Sequence, residues 1–138
     1  MCHMETVEFL ILKNLLYNEE YVRKVIPFIK GDYFEDRNQK IVFEEIINFV
    51  QEYNQPVTKE VLCIEAEKRQ DITDESFKEI TQLIGSLEDQ PSEFEWLVNT
   101  TEKWCRDRAI YLALMESIQL ADGKDDTKGR DAIPSILS

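Results

Sequence analysis

Apolar residues recur along this chain at intervals of three and four, the period of one helix face. Between Met4 and Tyr17 they fall at Val7, Leu10, Ile11 and Leu15, and Phe9, Leu12 and Leu16 widen the stripe. A helix patterned so broadly is largely buried. A shorter helix fits Glu19 to Ile29, where Pro27 should kink or end it, because proline brings no N–H to the helical ladder. Gly31 interrupts the pattern. Asn38 can then cap a helix whose apolar side carries Ile41, Phe43, Ile46, Ile47 and Val50, with Asn54-Gln55-Pro56 closing it. Thr58 can cap a helix bearing Val61, Leu62 and Ala66, and Asp74 another bearing Phe77, Ile80, Leu83, Ile84 and Leu87.

The clearest start signal is Pro91-Ser92-Glu93-Phe94-Glu95, where Ser92 and Glu95 have capping-box spacing. The helix it opens can run to Ala121, about 29 residues or roughly 44 Å at the α-helical rise. Its first half is amphipathic, through Leu97, Val98, Thr101, Trp104 and Cys105, but Ala109 to Met115 is apolar nearly all round. Two readings follow: part of this surface binds another chain, or the helix is central and the other five cover it. Tyr111, Leu114, Met115 and Ile118 have i, i+3, i+4, i+7 spacing and form the candidate subunit interface. Beyond it, the charged, glycine-containing stretch from Asp122 to Asp131 reads as a flexible linker, and Ala132 to Leu137 as a fresh apolar segment.

The expected fold is therefore all-α: a helical head over 1–90, a long helix over 91–121, a linker over 122–131 and the start of a further helix over 132–138. Composition agrees, since 43% hydrophobic and 32% charged residues suit a globular body and four glycines and four prolines argue against a loop-rich β architecture. No apolar run approaches the ~20 residues of a membrane span. The start of the sequence lacks the pattern of a signal peptide, and Met4 is a possible natural start. Three widely spaced cysteines, Cys2, Cys63 and Cys105, suit free thiols in a reducing cytoplasm. The net charge of −12 opposes tight binding to a phosphate backbone and favours a basic protein partner.

No constellation for catalysis stands up. There is no phosphate-binding loop; Asp122-Gly123-Lys124-Asp125 lacks the preceding glycine and strand. His3, the single histidine, lies beside Cys2 without the further ligands a zinc site needs. Paired carboxylates such as Glu44 with Glu45, Glu65 with Glu67 and Glu75 with Glu79 read as a solvated face, the alternative being a small helical metal hydrolase. Cys105 precedes Arg106 and Arg108, a setting that can activate a thiol, but its place on the apolar stripe favours a packed small hydrophobe. No catalytic residue, metal ligand or cofactor site is expected.

The run Gly31-Asp32-Tyr33-Phe34-Glu35-Asp36-Arg37-Asn38-Gln39-Lys40-Ile41-Val42-Phe43 resembles a signature of DnaB-type replicative helicase N-terminal domains. Asn18-Glu19-Glu20-Tyr21, Gln55-Pro56-Val57-Thr58 and Arg106-Asp107-Arg108-Ala109 match that family's order of segments. Tyr33-Phe34-Glu35, Phe94-Glu95-Trp96-Leu97-Val98, Thr101-Glu102-Lys103 and Ala132-Ile133-Pro134 resemble its T-even-type bacteriophage branch. The resemblance covers Glu5 to Leu137 and rests on order and spacing.

The resemblance implies the collar domain of a hexameric, ATP-dependent replicative helicase, in the host cytoplasm, with ATP and magnesium used by an ATPase domain outside this sequence. It implies a helical hairpin that pairs subunits, docking of primase and helicase loader, DNA contact only through the full hexamer, and no activity of this domain alone. It also implies that Ile133, Ile136 and Leu137 begin a linker helix that docks on a neighbouring subunit. The alternative is a free-standing helical adaptor or regulatory protein.

Overall fold

The computed structural model describes residues 6–90 and 92–126, with side chains through 121. Among the described residues six α-helices run in the order α1 Val7–Tyr17, α2 Glu19–Val25, α3 Arg37–Tyr53, α4 Lys59–Glu67, α5 Asp74–Ser86 and α6 Phe94–Asp126. A single 3₁₀ turn, Gly31–Tyr33, lies between α2 and α3, and the described residues contain no strand. None of the described helices is long and apolar enough to cross a membrane. The chain divides into two units, residues 1–105 and 106–138, with the boundary inside α6.

Side-chain oxygens open the helices, as the orphaned first N–H groups of a helix require. Thr6 accepts from the Phe9 N–H at 3.2 Å and Asn18 from the Tyr21 N–H at 3.0 Å. Thr58 caps α4 as expected, accepting from Val61 at 3.2 Å. Three other caps sit one or two residues from their expected places. Asp36, not Asn38, caps α3, accepting from the Asn38 and Gln39 N–H groups at 2.8 and 3.3 Å. Asn38 is thereby freed to donate to Glu79 of α5 at 2.8 Å. Thr73, not Asp74, caps α5. At α6 the Glu93 carboxylate accepts from the Trp96 N–H at 2.6 Å, while the Ser92 hydroxyl receives the Asn14 amide at 3.5 Å. The buried Asn14 draws Ser92 into a tertiary contact.

Chain-stopping residues act where expected. The helix of α2 ends before Pro27. Asn54 closes α3 with φ 52°, a left-handed conformation that asparagine tolerates better than most residues.

The core of the first unit draws on every helix, including Ile11 and Leu12 of α1, Tyr21 of α2, Ile41 and Ile46 of α3, Leu62 of α4 and Ile84 of α5. The start of α6 belongs to this core through Leu97, Val98, Thr101 and Cys105, all buried. That burial is why the unit boundary lies beyond Cys105.

Two polar devices lock α6 into the head. The Thr101 hydroxyl donates to the Leu97 carbonyl at 2.8 Å, so the Tyr21 phenol must donate to Thr101 in their 2.7 Å contact. Burial pushes the Tyr21 phenol well above its ordinary range and keeps that proton in place. Trp104 donates from its indole to Glu8 at 3.3 Å and packs on Phe34, ring centres 5.0 Å apart. Phe34 also meets Phe43 at 5.2 Å. The aromatic pair after Gly31 is thus a structural clamp between α3 and α6.

Candidate interaction surfaces

From Arg106 onward α6 shows a different character. Ile110, Tyr111, Leu114, Ile118 and Leu120 are 56%, 46%, 60%, 54% and 63% exposed, although each is large and apolar. Met115 is half-buried. Within this unit the Arg108 guanidinium lies over the Tyr111 ring, 5.0 Å from its centre. The largest apolar side chains of the helix are not covered within this unit.

Tyr111, Leu114 and Ile118 form one face by helical spacing, with Met115 at its edge. Ile110 extends this row by one turn, as i, i+4, i+8 spacing with Leu114 and Ile118 allows, and was not among the expected interface positions. Leu120 was also missed; it lies off that row, and its hydrophobicity alone signals it. The helix runs to Asp126, five residues past its expected end and into the stretch expected as linker. Ile133, Ile136 and Leu137, the expected docking residues, lie outside the described residues, as does any return helix of a hairpin.

The first unit carries a second surface that the periodicity did not flag. A half-open cleft of about 470 Å³ is formed by the end of α1, by α2 and by the end of α3. Leu16, Val22, Ile26, Val50 and Pro56 make it mostly apolar, and Glu19 and Arg23, paired at 2.7 Å, stand in its wall. The two prolines that end elements, Pro27 and Pro56, both line it. That coincidence is the one signal in the sequence that could have pointed to it.

Among the described residues, the titratable groups that stand out are packed or ion-paired. Burial first, and Glu102 second, push the Cys105 thiol up to about 12, so it stays protonated at neutral pH and packs as a small hydrophobe. Cys63 is also raised, by burial and then by Glu60. Among the described residues no group of three His, Cys, Asp or Glu side chains is placed to hold a metal. Cys2 and His3 lie outside the described residues.

Glu44 and Glu45 are not simply solvated charge. Arg69 donates to Glu45 at 2.7 Å and to Glu44 at 3.4 Å, and holds Asp71 through two bonds of 3.0 and 2.9 Å. The bond from Arg69, outweighing the cost of burial, lowers the Asp71 carboxyl to about 2. These acids tie α3 to the turn after α4.

Comparison with known proteins fits this all-helical fold. Residues 1–95 match the model of the DnaB-like helicase N terminal domain. A DnaB-like replicative helicase of Enterobacteria phage T4 is 31% identical over 111 residues, which is 80% of this chain and 23% of that protein. The chain thus spans about a quarter of its relative's length.

Proposed function

Because this chain belongs to the DnaB-like helicase N-terminal domain family, we propose that it is a non-catalytic architectural domain of a replicative DNA helicase, one that self-associates through the outer part of α6. The observation that carries this reading is the row of exposed Tyr111, Leu114 and Ile118, with Met115 at its edge. Water-exposed rows of large apolar side chains mark surfaces that another chain covers. In a hexamer such contacts would build a collar beside the ATPase ring, and ATP and magnesium would act in that ring. The pure chain is expected to release no phosphate from ATP.

The collar would also receive primase and a helicase loader. The acidic surface supports a basic partner, whose approach it would speed and whose binding salt would weaken. The same charge would keep DNA from adhering to the collar.

The test is the double substitution Leu114→Glu with Ile118→Glu. Sedimentation should show the parent chain self-associating and the variant monomeric, with an unchanged helical circular dichroism spectrum. A parent chain that stays monomeric at high concentration, or a variant that associates as before, would remove the reading.

A further inference from the structure

The cleft beside α2 takes no part in the reading above. It holds about 470 Å³ and is bounded by the end of α1, by α2 and by the end of α3. Ligand pockets typically hold about 300–1,000 Å³ and are mostly apolar, with a few polar groups at fixed places. Here Leu16, Val22, Ile26, Val50 and Pro56 supply the apolar lining. Gln51, Asn54 and Gln55, all exposed, add amides at and beyond the α3 end.

The charge around it is one-sided. Within the lining, Glu19 and Arg23 are the charged residues, and each neutralises the other at 2.7 Å. The helices α1 and α3 both end in the wall, and neither has a basic residue in its last turn to answer the negative end of its dipole. The positive start of α2 is answered by its own Glu19 and Glu20. Among charged residues next to the lining in sequence, Glu20 and Glu52 outnumber Lys24, and all three are exposed. An apolar floor therefore sits under a net negative mouth, in a chain of charge −12.

We infer that this cleft receives a short amphipathic helix of another protein, with aliphatic side chains on the apolar floor and a lysine or arginine at the mouth. The recognition modes open to a peptide narrow to this one. Strand addition needs a sheet edge, and the described residues contain no strand. Polyproline segments need a groove lined by aromatic rings, and Tyr17 is the one ring in the lining. Acidic or phosphorylated motifs need clustered arginines, whereas Arg23 is the one arginine in the lining and is already paired. A helix laid in a groove needs apolar anchors and, here, a cation to complement the mouth. The inference rests on the basic partner proposed above, gives it a place on the head, and does not depend on self-association through α6.

The probe is an alanine-based peptide of about 14 residues, long enough to approach a stable helix, with leucines at i, i+4 and i+7 and lysines at both ends. One twin carries glutamine for leucine, and the other carries glutamate for lysine. Titrated into the full isotope-labelled chain, the leucine–lysine peptide should shift the amide signals of Val22, Ile26 and Val50, while both twins bind severalfold more weakly. Gln51→Trp, which fills the mouth from an exposed helical position, should weaken that binding about tenfold with the helical spectrum unchanged. Glu19→Gln leaves Arg23 uncompensated and should narrow the gap between the lysine and glutamate peptides.

A leucine–lysine peptide that binds Gln51→Trp as it binds the parent, or whose shifts spare the cleft, overturns the inference. Equal binding of the lysine and glutamate peptides also overturns it. If the leucine peptide spares the cleft while the glutamine–lysine peptide binds in a salt-sensitive way, the acidic surface still serves a basic partner and only the cleft is removed. No binding by any lysine peptide removes both.

Discussion

Two stretches of the same helix behave as different materials. Between Phe94 and Cys105, α6 buries Leu97, Val98, Thr101 and Cys105 among the other five helices. Between Ile110 and Leu120, Ile110, Tyr111, Leu114, Ile118 and Leu120 are about half exposed or more. Backbone geometry is shared, and so is hydrophobicity; the outer stretch is, residue for residue, the more apolar of the two. Helix formation therefore does not report burial. The inner stretch belongs to the first unit and is buried in its core, with hydrogen-bonding partners in Tyr21 and Glu8.

The largest effect should separate the two stretches by a matched substitution. Leu97→Ala removes a buried side chain and should cost about 2–5 kcal/mol of folding stability. Leu114→Ala in a dilute, monomeric sample should stay within about 0.5 kcal/mol of the parent. Urea denaturation followed by circular dichroism measures both, and equal costs would erase the distinction between inner and outer α6.

A smaller effect tests the polar lock of the inner stretch. Thr101→Val leaves the buried Tyr21 hydroxyl without its acceptor and should cost about 1–3 kcal/mol. Adding Tyr21→Phe should cost little more, because the orphaned hydroxyl is then gone. A double-mutant cycle whose two costs simply add would show that the pair is not coupled.

The smallest effect concerns the head's surface ion network. Asp71 is depressed from 3.8 to about 2, so its contribution is present above about pH 4 and is lost as pH falls through 2. Asp71→Asn should therefore narrow the drop in urea midpoint between pH 5 and pH 2.5. Because Asp71 is half exposed, the change should be slight. An identical drop in parent and variant would assign the acid sensitivity to other carboxylates.

Much of the fold was legible because helices announce themselves locally. The six helices expected between Met4 and Ala121 are present among the described residues, since a 3.6-residue apolar period, capping oxygens and stops such as Pro27 and Asn54 all act within a few residues. The shifted caps show where that legibility ends. Asp36 and Asn38 are both competent caps, and Asn38 is taken by Glu79, 41 positions away. Ser92 is likewise taken by Asn14. Lys13 and Asn14 were invisible as core residues; they are buried because the segment around Gln90 and Ser92 returns to cover α1 and supplies oxygens, at 2.9 Å for Lys13. The apolar row was readable as a pattern at Tyr111, Leu114, Met115 and Ile118, but the same pattern served equally well for a core helix.

By itself, then, the sequence determined that this chain is helical, where most helices begin and stop, and which residues share a face, because those properties depend on neighbours three or four positions away. Only the tertiary structure decided which faces are covered. It placed Leu97 inside and Leu114 outside, turned the aromatic pair after Gly31 into a clamp on Trp104, and opened a cleft beside Pro27 and Pro56. Covering a face requires another segment at contact distance, and that is set by the path of the whole chain.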